Sequence, residues 1–300
     1  MSNQGFRQIE LLIGPFTEGM LYDENGQPKK SKTLSILSNG NIDTMRVQAN
    51  INKSRLPMSN SANIKIYNLS RNTMDVLQKG GLNVQVLAGY ENGNMELLFS
   101  GGIGYVKTER YGPDVVTTLI CREGSYNMLR DAVSISYTNG TPVETVVKDL
   151  AQKIPGITVD PTKIKLKGKI GYAGFSYVGS INEAIDKLAY QYGFTWEIDS
   201  GMFVIGMDDE RPQLKVRLDE NSGLKQVSPQ LFGPMLIQTG LDIESRYVQG
   251  IRPGYSVSVH SKYKDFGDNF VHSISYNLCP KNDQWDMNIS TLVFFGSDFS

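Results

Sequence analysis

Three hundred residues, with 30 Lys/Arg against 31 Asp/Glu and 40% hydrophobic side chains, can bury two or three cores and carry a formal charge of only −1. That balance argues against a chain whose main work is neutralising nucleic acid or an anionic membrane. No apolar run approaches the roughly 20 residues of a membrane span, and the start MSNQGFRQIE lacks a secretory apolar core, so synthesis in the cytoplasm and no membrane binding by the chain itself are expected.

The first part reads as strands. Residues 7–13 form the first strand, and then come the turn Asn25-Gly26 and the lysines Lys29, Lys30 and Lys32, a solvated loop without interleaved aromatics. Residues 33–37 and 44–51 follow across Asn39-Gly40; in the second, Met45, Val47, Ala49 and Ile51 point one way and Thr44, Arg46, Gln48 and Asn50 the other. Residues 62–103 hold a strand at 63–67, a short helix capped by Ser70 and closed by Gly80-Gly81, a strand broken at Gly89, the turn Asn92-Gly93 and a strand at 97–99. Residues 105–111 and 115–121 pair across Gly112-Pro113-Asp114. Short strands at this spacing suggest a sandwich or barrel.

At Thr141 the period changes to that of helices. Thr141-Pro142-Val143-Glu144 reads as a capping box opening a helix that Pro155-Gly156 stops, and Ser180-Ile181-Asn182-Glu183 as a second box opening a helix that Gly193 closes. Residues 194–198 and 202–205 flank Asp199-Ser200-Gly201 as a hairpin. Strands return at 214–218, 235–238, 255–260, 269–276 and 285–293. The expected fold is α+β and mainly β, with a barrel-like unit at 1–130, a small α+β unit at 131–206 and a second barrel-like unit at 207–300.

Chemistry is sparse. His260 and His272 have no partners at metal-ligand spacing. Asp208, Asp209 and Glu210 are adjacent, whereas a glycosidase holds two carboxyls across a cleft. Gly101-Gly102-Ile103-Gly104 leads into a strand instead of a helix N-terminus, which fits a bulge or a close backbone approach. The run 163–169, KIKLKGK, reads as an edge strand whose lysines discourage pairing. Cys121 and Cys279, far apart in sequence, are expected to be buried free thiols. No catalytic, cofactor-binding or metal residue is assigned, and no enzyme activity is expected.

Residues 63–68 with the short helix after them, 84–90 with Phe99-Ser100-Gly101, and Pro253-Gly254 leading into 257–261 resemble the baseplate hub proteins of tailed bacteriophages, of the late-control or tail-hub type. The segment 240–262, GLDIESRYVQGIRPGYSVSVHSK, and the strand pair up to Trp285 are similar to the same family, as is the unit of two helices and a hairpin ending at 196–205. One departure is Tyr276-Asn277-Leu278-Cys279, where many relatives carry a histidine and a Gly-Asp pair.

The resemblance implies a structural virion protein in the tail baseplate. It implies a homotrimer whose two barrel-like units per subunit meet the hexameric tail tube or its adaptor as six near-equivalent units. The other face would hold the trimeric spike, other baseplate proteins would surround the ring, and genomic DNA would pass only as cargo. The surplus of 12 Asp/Glu over 9 Lys/Arg after residue 206 is expected to face that channel. Alternatives are a tail-associated cell-wall hydrolase, a receptor-binding β module carrying Tyr172, Tyr177 and Tyr255, or the equivalent hub of a phage-like contractile injection system.

Overall fold

The computed structural model describes residues 6–15, 34–55, 60–91, 93–123, 132–154, 157–207, 215–232 and 237–292. The Asn25-Gly26 turn, Lys29, Lys30 and Lys32, Asn92, Pro155-Gly156, and Asp208 to Glu210 lie outside these residues.

The first part supplies β1 (Arg7–Pro15), β2 (Leu34–Ser38), β3 (Val47–Ser54), β4 (Ser61–Tyr67), α1 (Arg71–Gln78), β5 (Leu82–Tyr90), β6 (Glu96–Tyr111) and β7 (Asp114–Glu123). The middle part supplies β8 (Ala132–Tyr137), α2 (Val143–Gln152), β9 (Thr158–Val159), β10 (Phe175–Ser180), α3 (Ile181–Tyr192), β11 (Phe194–Asp199) and β12 (Met202–Met207). The last part supplies β13 (Lys215–Leu218), β14 (Leu224–Phe232), β15 (Ile237–Arg246), β16 (Ser256–His260), β17 (Asp265–Leu278) and β18 (Trp285–Leu292).

The fold is α+β and mainly β. Its first and last parts do not close separately into barrels; they share one 13-stranded sheet in the order β14-β15-β18-β17-β3-β4-β7-β6-β5-β1-β2, with β16 pairing β17 off this path and β13 pairing β16. The seam is the antiparallel pair β17 and β3, in which Ser275 meets Asn52, Tyr276 meets Ile51 and Asn277 meets Asn50. Both strands alternate with the same phase, so joining them puts apolar residues on one face and polar residues on the other without a break. At His272, where the β17 register shifts, the strand passes from Tyr255 and Gly254 on one stretch to Arg55 on the next.

One apolar cluster draws on both parts. It runs from Ile9, Val47, Ile64 and Phe99 to Tyr247, Ile274, Trp285 and Ile289. Aromatic rings clasp the two sides: Tyr90 of the first part stands edge-on to Trp285 at 6.1 Å and tilted to Tyr247 at 6.4 Å, both of the last part. The middle part has its own core, built from Val143, Val147 and Leu150 of α2, Ile181, Ile185 and Leu188 of α3, and Trp196 and Ile198 of β11.

Local signals meet mixed outcomes. Ser70 and Ser180 cap α1 and α3 by accepting from the Thr73 and Glu183 amides, and Gly193 closes α3 in the left-handed region. The Thr141 box is not made. Pro142 sits at the α2 N-cap without a side-chain cap, Thr141 Oγ1 donates to the Thr138 carbonyl, and Glu144 instead receives Lys148 Nζ at 2.6 Å. The 163–169 run is not an edge strand: only Lys169 forms an isolated bridge, to Pro142. Ile164 and Leu166 are buried in the middle core, which holds the segment as coil with its lysines outward.

Strand β3 starts three residues later than its alternation suggests, because Asn39 and Thr44 tie residues 39–44 into a turn. It also runs on to Ser54. Strand β14 carries Pro229, which suppresses a strand reading, and lies at one end of the sheet path, where a missing amide is tolerated. Gly89 lies inside β5, at a close approach to the Asn94 carbonyl.

Candidate functional site

Two features stand out: a polar sheet face and a charged joint. The face follows from register. Cross-strand pairing lines up Arg246, Asp286, Asn277, Asn50 and Asn63 in one row, and Gln226, Glu244, Asn288, Ser275, Asn52 and Ser61 in the next. Where this face curves over β14, β15, β18, β17 and β3 it forms an open groove of about 570 Å³. Its carboxylates are engaged. Lys225 reaches Glu244 at 3.3 Å and Asp286 at 2.7 Å, Arg246 reaches Asp286 at 3.4 Å, and Gln230 donates to Asp242 at 2.7 Å. Serine, asparagine and glutamine side chains make up much of the rest, with the Ser275 hydroxyl donating to Asn52 at 2.8 Å, and the second row continues from Ser61 to exposed Arg122.

The charged joint lies where the middle part meets the sheet. Strand β11 turns Phe194, Trp196 and Ile198 into its own core, so Thr195, Glu197 and Asp199 face outward in one row. Lys53 is the next residue in the buried phase of β3 after Val47, Ala49 and Ile51. Its side chain is 3% exposed, and its ammonium bonds Asp199 and lies 2.9 Å from Ser200 Oγ and 3.9 Å from Glu123. Ser200 is fully buried with φ of 52°. Its amide donates to Glu123 at 3.1 Å and its hydroxyl to the Leu97 carbonyl at 3.4 Å.

Asn60 donates at once to Glu123 at 2.8 Å and to the Ile198 carbonyl at 2.9 Å. Arg252 joins Glu96 at 3.2 Å to Asp199 at 3.4 Å, and Glu96 also accepts from the Tyr247 hydroxyl at 3.1 Å and the Gly250 amide at 3.0 Å. Arg55 lies over the Phe270 ring and donates to Thr195 Oγ1 at 3.1 Å.

The electrostatics follow from burial opposed by partners. Burial alone would lower the Lys53 pKa, but Asp199 and Glu123 outweigh it and hold it above its ordinary value. Burial would raise Asp199, yet Lys53 and Arg252 keep it below the usual carboxylate range. For Glu123 burial exceeds the pull of Lys53, pushing it up to about 7. Glu197 is pushed up to about 8 by burial and by Asp199. Burial, then Glu96, raises Tyr247 and Tyr276 well above the ordinary phenol.

The residues singled out from sequence fall elsewhere. His260 contacts Ser258 and Asp265 in the β16–β17 hairpin, whereas the His272 carbonyl accepts from Arg55 at the seam. Gly101 lies where a Cβ would collide with the Arg122 carbonyl, and the β6 register shifts between Ile103 and Tyr105, across Gly104. Cys121 and Cys279 are buried free thiols. Tyr172 is exposed while Tyr177 is buried with its hydroxyl on Glu183, so they do not share an open binding surface. Among the described residues no three His, Cys, Asp or Glu side chains are grouped to hold a metal ion. The joint went unread because its members span residues 53 to 252; the local signal was Lys53 falling in the buried phase of β3.

The fold has solved counterparts. A tail protein from Neisseria meningitidis MC58 superposes with a TM-score of 0.65 at 11% identity over 96% of this chain and 97% of that one. The 43 kDa tail protein of prophage MuSo2 from Shewanella oneidensis gives 0.62 at 12% identity over 96% of each chain. An Escherichia coli component of the type VI secretion system, described as similar to T4 tail proteins gp27 and gp5, gives 0.56 at 9% identity over 85% of this chain and 75% of that one. No curated protein matches the chain in sequence. Residues 32–290 match the baseplate hub gp41 family, and the chain belongs to that family of non-enzymatic structural tail components.

Proposed function

We propose that the chain is the central hub of a tail baseplate, a homotrimer that joins the hexameric tail tube to the trimeric spike and lines the channel between them. The observation that carries this reading is the polar face running unbroken across the β17–β3 seam. Two β-rich units per subunit, at 1–130 and 207–300, present that face together, with the α+β unit at 131–206 set to one side. Three copies offer six such units, which reconciles a three-fold spike with a six-fold tube. DNA is passing cargo. Hydroxyl and amide groups, with the carboxylates already paired, give a phosphate backbone little to hold, so passivity here comes from neutrality more than from the acidic surplus in sequence. The protein is made in the host cytoplasm and works in the virion.

Mass measurement of the full chain, alone and with its spike and tube proteins, together with a low-resolution image, tests the reading. A three-fold ring with a central channel supports it. A strict monomer that ignores both partners overturns it.

A further inference from the structure

The middle part is attached to the sheet in an unusual way. No apolar cluster among the described residues crosses between them: the sheet core takes no residue from 131–206, and the middle core takes none from outside it. What crosses is polar. Glu197 and Asp199 of β11 face Lys53 and Arg55 from the end of β3, Glu123 from the end of β7, and Arg252, which is itself held by Glu96 beneath the Tyr247 hydroxyl and near Tyr276. The described charges at this joint are three cations, Lys53, Arg55 and Arg252, and four carboxylates, Glu96, Glu123, Glu197 and Asp199. Among the described residues one negative charge is therefore in excess, in a place that water reaches poorly.

Buried ion clusters of this kind add little net stability, because desolvation offsets attraction, but they hold one geometry and fail sharply when one charge is unmatched. An apolar seam would make the docked position permanent. We propose that residues 131–206 form a movable module latched to the sheet by this joint, and that the latch closes with uptake of about one proton shared by Glu123 and Glu197. Released, both carboxylates meet water and ionise as ordinary glutamates; docked, one of them keeps a proton. The raised pKa values of the two carboxylates agree with this direction. The latch thus holds in mild acid and loosens as pH rises. It does not depend on the tail assignment.

Electron-spin distance measurement on the full chain tests this. One label replaces exposed Tyr190 on α3 and the other exposed Tyr263 in the β16–β17 turn, as Y190C and Y263C; the native cysteines are buried. At pH 6 a single distance is expected. Between pH 6 and about 8 a second population should grow, with the docking constant falling by up to about tenfold per pH unit, and the change should level off by pH 9, where the docked pair has ionised as well. Glu197→Gln neutralises the excess charge without removing volume and should keep the single distance at pH 9. Identical distributions at pH 6 and pH 9 in the otherwise native chain would overturn the proposal. So would a Glu197→Gln protein that responds to pH as its parent does.

Discussion

Lys53 Nζ and Ser200 Oγ lie 2.9 Å apart across 147 residues of sequence, in a site where neither side chain meets bulk water. This contact places the β11–β12 turn against the end of β3 and brings Glu123 within reach of both groups.

Lys53→Ala strips the cation from two buried carboxylates and is expected to cost about 3–5 kcal/mol in urea unfolding. Lys53→Met with Asp199→Leu removes both charges and should recover most of that loss. A single variant as stable as the parent would show that the ammonium is not buried against its partners.

Stability should fall as pH rises from about 5 to about 8. Burial pushes Glu123 up to about 7 and Glu197 up to about 8 in the folded chain, so this interacting pair shares about one proton there that it has lost near 4.5 when unfolded. The folded state therefore binds more protons in this window, and deprotonation penalises it. Carboxylates with lowered pKa, such as Asp149 and Asp160, have already given their full stabilisation above pH 5. Thermal melts across the range should show a declining Tm, and Glu197→Gln should flatten the slope.

Gly240 and Gly101 lie where a Cβ would run into the Thr291 and Arg122 carbonyls of neighbouring strands. Gly240→Ala and Gly101→Ala should each destabilise by about 2 kcal/mol or more, because both ladders must spread. Gly93→Ala, with its nearest neighbour 3.6 Å from the added carbon, serves as the control and should shift the urea midpoint little.

Cap substitutions separate signals that look alike in sequence. Ser180→Ala should cost about 1 kcal/mol by denaturant titration, since its hydroxyl accepts from the Glu183 amide. Thr141→Ala should cost clearly less, because that hydroxyl donates to the Thr138 carbonyl and caps nothing in α2.

Most elements could be read from local pattern. Alternation marked β3, β4, β16 and β18; Ser70, Ser180 and Gly193 marked helix ends; and the switch from period two to helical period at Thr141 marked the middle part. These signals act within a few residues, so the chain carries them directly. Where local chemistry had two outlets, the sequence alone did not choose. Glu144 could serve the Thr141 box or Lys148, and KIKLKGK could be an edge strand or a coil anchored by Ile164 and Leu166; packing decided both.

The amino-acid sequence by itself determined the mainly β composition, the two amphipathic helices of the middle part and the likeness to tail hubs. Only the tertiary structure decided that β3 pairs with β17, joining the first and last parts in one sheet, and that Lys53, Glu123, Asp199 and Arg252 meet. The physical reason is range. Alternation fixes which way a side chain faces, but which strand lies beside it, and which charge lies opposite, depends on how distant segments pack.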